Sequence, residues 1–197
     1  ILSISFYSVG NAENEFPLDP AITYGKLENG LTYYIRENQT PKDKVSIKLI
    51  IKAGSIMEEE NQLGLAHLLE HMAFNGSKNF PKRKIDEYMS SIGLNLGSHY
   101  NATTGFLETS YDYEIPTKND KDVEVALKIL TDISKNLSFE PEAFERERKI
   151  VEEEWRRDIG GSQDYVNKFH KVLFKNSRLN ERKPIGTLEI IQNFKYQ

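Results

Sequence analysis

The pattern of apolar and polar residues divides the chain into strand-like stretches, mostly early, and helical ones, mostly late. "GKLENGLTYYIRENQT" reads as a strand pair turning at Asn29-Gly30, with Leu31 to Arg36 rich in aromatic and β-branched residues. "VSIKLIIKAGS", Val45 to Ser55, alternates and then runs apolar, which predicts a central strand ending at Gly54. A helix follows, with Asn61 as its expected cap and Gly76 as its stop. "KRKIDEYMSSIG" is a second helix closed by Gly93. Leu94 to Pro116 is polar and Thr/Tyr-rich without helical period, which predicts two strands. "KDVEVALKILTDISKNL" and "SFEPEAFERERKIVEEEWRRDI" are amphipathic helices, the latter with Pro141 near its first turn. "QDYVNKFHKVLF" is helical, and "KPIGTLEIIQNF" is a loop with a short helix. This order predicts an α+β fold, one sheet with helices packed against it.

The first of these helices carries the chemistry. At about 100° per residue, Leu65, Leu68, Leu69, Met72 and Ala73 form one continuous face. His67, Glu70, His71 and Phe74 take the opposite face. His67 and His71 are one turn apart, so two imidazole nitrogens can reach one zinc ion at about 2.0–2.1 Å. H-x-x-E-H is a metallopeptidase signature in which two histidines hold zinc and a glutamate takes a proton from water.

Such a zinc needs a third protein ligand. His99 and His170 lack partners at ligand spacing. On a second wheel, Glu147 and Glu154 lie in the middle of the apolar face of Ala143, Phe144, Ile150, Val151 and Trp155, while Arg146, Arg148, Glu152 and Glu153 fall outside it. Burying an unpaired carboxylate costs several kcal/mol, so a divalent cation or a buried Arg or Lys must compensate the pair. A closed structural zinc site would need a fourth ligand from Glu70 or Glu147.

Composition narrows the choices. A hydrophobic share of 38% with 28% charged is that of a globular chain. A net charge of −4 argues against a broad nucleic-acid surface. The absence of cysteine excludes disulfides, thiolate zinc sites and thiol nucleophiles. No segment reaches the roughly 20 apolar residues of a membrane span. The apolar opening with Gly10-Asn11-Ala12 reads as the remnant of a signal peptide, which implies export.

"GLAHLLEHMAFNGSKNFP", "GSHYNATTGFLETSY" and "FERERKIVEEEW", in this order, resemble the N-terminal catalytic domain of the pitrilysin/insulinase family of zinc metallopeptidases, the inverzincins. The resemblance implies a mixed, mostly antiparallel sheet with helices packed on it. It implies zinc held by His67, His71 and Glu154, Glu70 as general base, and Glu147 as a supporting acid near the metal. Asn101 and Ala102 would lie on the edge strand that pairs a peptide substrate. The domains expected are a signal remnant and extension over 1–22 and a zinc peptidase domain over 23–197, incomplete at its end. A second homologous half would help enclose the peptide. A bacterial periplasmic location follows, with a homo-oligomer left open. The spacing from His71 to Glu154 is somewhat longer than usual, with the extra residues placed in the loop "PTKNDKD". Leu107 and Ser110 also depart from the family's substrate strand. Family members that have lost the motif serve as non-catalytic subunits, a role the intact His67, Glu70 and His71 oppose.

Overall fold

A computed structural model describes residues 17–158 and 162–195. The expected signal remnant falls largely on residues 1–16, outside the described residues. The chain divides into two compact units, Ile1–Lys42 and Asp43–Gln197. In the first, β1 (Ile22–Lys26) and β2 (Thr32–Arg36) pair antiparallel. Their turn is built as the sequence predicts: Gly30 has φ 89°, a value that favours glycine, and Asn29 Oδ1 accepts the Leu31 N–H at 3.1 Å.

The second unit holds an antiparallel sheet in the order β3-β5-β4, from β3 (Lys44–Ile51), β4 (Tyr100–Thr104) and β5 (Thr109–Pro116). The fold is α+β, as expected. Two sheet expectations change. Where one sheet is predicted, the described strands form two, the β1-β2 pair and the three-stranded sheet. Among the described strands β3 is an edge and β5 is central, because β5 pairs with β3 from Thr109 to Pro116 and with β4 from Thr109 to Tyr113. Run composition reports burial on a face, not position in the sheet. Tyr111, Tyr113 and Ile115 of β5 point inward and are buried. On the opposite face Lys48 Nζ meets Asp112 Oδ1 at 2.8 Å. The sheet therefore has one packed face and one wet face.

The inward face packs against α2 (Lys84–Ser91) and α3 (Asp120–Lys135) in one core. A second core joins α1 (Leu65–Met72), α4 (Pro141–Arg157) and α6 (Leu188–Asn193). The helix α5 (Ser162–Leu173) follows α4. Helix α1 lies between the cores: Leu68 and Met72 are buried with α4 and α6, while Ala73 and Phe74 join the sheet core. Its wheel is therefore only half right. Leu69, placed on the buried face, is exposed, and Glu70, on the opposite face, is buried. The helix also stops at Met72, short of Gly76.

The exit of α1 is tied to α3 by Asp132, which is 1% exposed. Its carboxylate accepts from Ser77 Oγ at 2.7 Å, the Asn79 backbone N–H at 2.8 Å and Asn136 Nδ2 at 2.9 Å. Asp132→Ala leaves these donors without a partner, and urea denaturation is expected to show a loss of about 3 kcal/mol.

Candidate metal centre

Helix α1 starts at Gly64, whose φ of 95° is reached readily by glycine, and its sequence of Leu, Ala and Glu favours helix. Anchoring by Leu68 and Met72 turns His67 and His71 toward α4, which brings Glu154 to meet them. His67 Nε2 lies 3.7 Å and His71 Nε2 3.4 Å from the same Glu154 oxygen. The three donor atoms fall within 4.8 Å of one another. Tetrahedral zinc with bonds of 2.0–2.2 Å separates its ligand atoms by about 3.4 Å. Two imidazole nitrogens and a carboxylate at these separations suit a single borderline cation.

Glu147, two helical turns before Glu154, is 7% exposed and meets the other nitrogen of His71, with Nδ1 3.2 Å from Oε2. This contact aims the ring and leaves Nε2 toward Glu154. Among the described residues no buried Arg or Lys compensates the pair. The described cations near these carboxylates are Arg146, 3.5 Å from Glu147, and Arg157, 3.8 Å from Glu154, both on exposed side chains. Arg148, which the wheel left outside the stripe, is buried, yet it donates to the Ile191 and Phe194 carbonyls of the α6 region.

The two histidines are electrostatically unlike. Burial, with the neighbouring His71, pulls His67 down to about 4, so its imidazole is neutral at neutral pH. Its Nδ1 is buried without a hydrogen-bond partner. For His71, burial pulls down, but the Glu147 hydrogen bond and the charges of Glu154, Glu70 and Glu147 outweigh it and raise the ring above its usual value. Burial opposes ionisation of Glu147 too, but the hydrogen bonds of His71 and Asn75 hold its carboxyl below the usual range.

Glu70 stands beside the donor cluster and outside it. It is 8% exposed and accepts the Thr104 hydroxyl at 2.6 Å. Burial raises its carboxyl, against the Thr104 hydroxyl, the charge of His71 and the Thr104 backbone N–H. Thr104 belongs to β4, so the edge strand and the acid are joined directly. Sequence reasoning did not single out Thr104; its place two residues after Ala102 was the available signal.

Strand β4 pairs on one side only among the described strands. The Glu114 N–H reaches the His99 carbonyl and the Gly105 N–H reaches Glu108, so odd-numbered backbone groups face β5. By alternation the N–H and C=O of Ala102 point to the open edge. The Ala102 side chain is buried, whereas Asn101 is exposed and lines the same cleft as His67, Glu70, His71 and Glu154. That cleft measures about 730 Å³. His99 and His170 stay outside it: His99 Nδ1 accepts the Asn95 N–H, and His170 stacks on Phe106.

Residues 33–182 match the model of the insulinase family, peptidase family M16. The chain belongs to this family. It is 39% identical over 179 residues to a probable zinc protease, PqqL, of Haemophilus influenzae, covering 91% of this chain and 19% of that protein. The crystal structure of the periplasmic protease PqqL from Escherichia coli superposes with a TM-score of 0.88 at 35% identity, covering 91% of this chain and 20% of that one. The structure of that protease's first half gives 0.86 at 36% identity, covering 89% and 37%. The chain thus spans about a fifth of the length of the full-length relatives it matches. No helix among the described residues is long and apolar enough to cross a membrane.

Proposed function

We propose that this chain carries the catalytic centre of a zinc-dependent metalloendopeptidase that hydrolyses peptides or small unfolded proteins in the bacterial periplasm. The observation that carries the reading is the convergence of His67 Nε2, His71 Nε2 and Glu154 Oε2, with the buried carboxylate of Glu70 beside them. The periplasmic location rests on the periplasmic protease it resembles. A second homologous half would complete the enclosure of the substrate; the separately solved first half of the Escherichia coli protease supports a division of the longer protein into halves.

His67, His71 and Glu154 would hold the zinc, which would supply Lewis acidity toward a carbonyl oxygen and a water molecule. The chain's own residues do the rest. Glu147 takes the Nδ1 proton of His71 in a hydrogen bond and so keeps the Nε2 lone pair free. Glu70, whose burial makes it a stronger base, accepts a proton from the attacking water and delivers it to the leaving amine nitrogen. Thr104 holds that carboxylate still. The open backbone of Ala102 and the side chain of Asn101 would take the peptide by strand addition.

The test is made on the full-length protein. One zinc per chain and cleavage of an unstructured peptide, lost with chelator and restored by zinc, are expected. A protein loaded with zinc that cleaves no peptide would leave the scaffold role instead. Zinc affinity has a further signature. Protons compete at His71, raised above 6.5, whereas His67 protonates only near 4. Between these values the logarithm of the zinc Kd is expected to rise by about one per pH unit of acidification, not two. Titration against a metal buffer at several pH values measures the slope.

A further inference from the structure

Helix α1 has no capping side chain of its own, because its N-cap position is Gly64. Its first-turn N–H groups nonetheless find an acceptor. Glu58, six residues before Gly64 and 5% exposed, accepts the Gly64 N–H at 3.0 Å with one carboxylate oxygen and the Ala66 N–H at 2.8 Å with the other. His67 follows directly on Ala66.

Glu58 is itself held from the far end of the chain. Arg182, 3% exposed, donates Nε to the Glu58 carbonyl at 2.8 Å and Nη2 to Glu60. Arg178 Nη2 reaches the same carbonyl at 2.7 Å. Ser55 Oγ donates to the Arg182 carbonyl at 2.6 Å. Beside this knot the backbone closes on the helix start: a Cβ on Gly186 would sit 2.5 Å from the Gly64 Cα. Removal of the carboxylate would leave buried N–H groups unpaired at the end of α1 that bears His67.

We propose that Glu58 is a positioning residue of the metal centre: it fixes the rotation and depth of α1, and Arg182 couples that setting to the 178–186 segment. The carboxylate touches no substrate and no metal donor. It also favours the positive end of the helix electrostatically. The inference rests on the zinc reading above.

The experiment compares Glu58→Ala with wild type in the full-length protein, below the Tm of either. Zinc Kd by chelator competition, kcat, KM and the Tm of the metal-free form are measured. Positioning of a ligand-bearing element is expected to act like support of a ligand, so zinc Kd weakens about 10–100-fold. The kcat falls while KM stays within twofold. Ile129→Val, a trim on α3 outside the core that holds Leu68 and Met72 of α1, is the stability control: its Tm falls and its zinc Kd does not move. Glu58→Ala with a lowered Tm but zinc Kd and kcat within twofold of wild type would overturn the proposal. If Glu58→Ala does not fold, Arg182→Lys decides: a several-fold weaker zinc Kd supports the coupling, and an unchanged one overturns it. A wild type that binds no zinc overturns the zinc reading and this inference together, whereas tight zinc in both wild type and variant overturns this inference alone.

Discussion

Glu70→Gln in the full-length protein is expected to keep its zinc and to lose roughly 10²- to 10⁴-fold in kcat, the range of a positioned general base. The change is nearly isosteric. The Gln carbonyl still accepts the Thr104 hydroxyl, so the tie between α1 and β4 is retained. The proton acceptor is what is lost. Glu70 is not among the three converging donors, so zinc Kd should stay within a few-fold of wild type. KM should stay close to wild type, because the peptide is expected to bind through the β4 edge and the cleft. The kinetic result is a fall in kcat and kcat/KM together, the mark of an interaction made in the transition state. A Gln variant with normal turnover would remove Glu70 from the reaction.

His71→Ala should fail in a different way. Loss of a supporting residue around a metal weakens binding about 10–100-fold, and loss of a donor must exceed that, so zinc Kd should rise by more than about 100-fold. The substitution also strips Glu147 of the partner that holds its carboxyl low. Wild type should gain thermal stability as zinc is added, by mass action on the folded state, whereas His71→Ala should show no zinc-dependent rise in Tm over the same range. Melting curves at several zinc concentrations check this. The contrast separates the two residues on neighbouring positions: one variant with metal and no turnover, one with neither.

How much of this was legible in the sequence follows from the range of the forces involved. His67, Glu70 and His71 share a helix face because spacing along one helix is local, and a wheel captures it. Glu147 and Glu154 were legible because acids on an apolar stripe demand a partner. The wheel could not say which partner. That His71 Nδ1 meets Glu147 while both Nε2 atoms meet Glu154 depends on how α1 crosses α4, and that is set by packing of Leu68, Met72, Phe144 and Val151. Arg148 was misjudged because its burial comes from α6, which arrives from 43 residues away in sequence. The cap of α1 was sought locally at Asn61; Asn61 lies instead in a short 3-10 turn, Glu60–Gln62, and the cap comes from Glu58. The edge position of β3 escaped for the same reason, since strand order is a long-range property.

The central claim is that one zinc ion joins α1 to α4. The most direct measurement is a zinc-loaded structure of the full-length protein, with anomalous data at the zinc edge. The account predicts a single zinc peak with His67 Nε2, His71 Nε2 and a Glu154 oxygen at about 2.0–2.2 Å, and Glu70 outside the ligand set. A peak that Glu154 does not reach, or zinc ligated by Glu70, would contradict it.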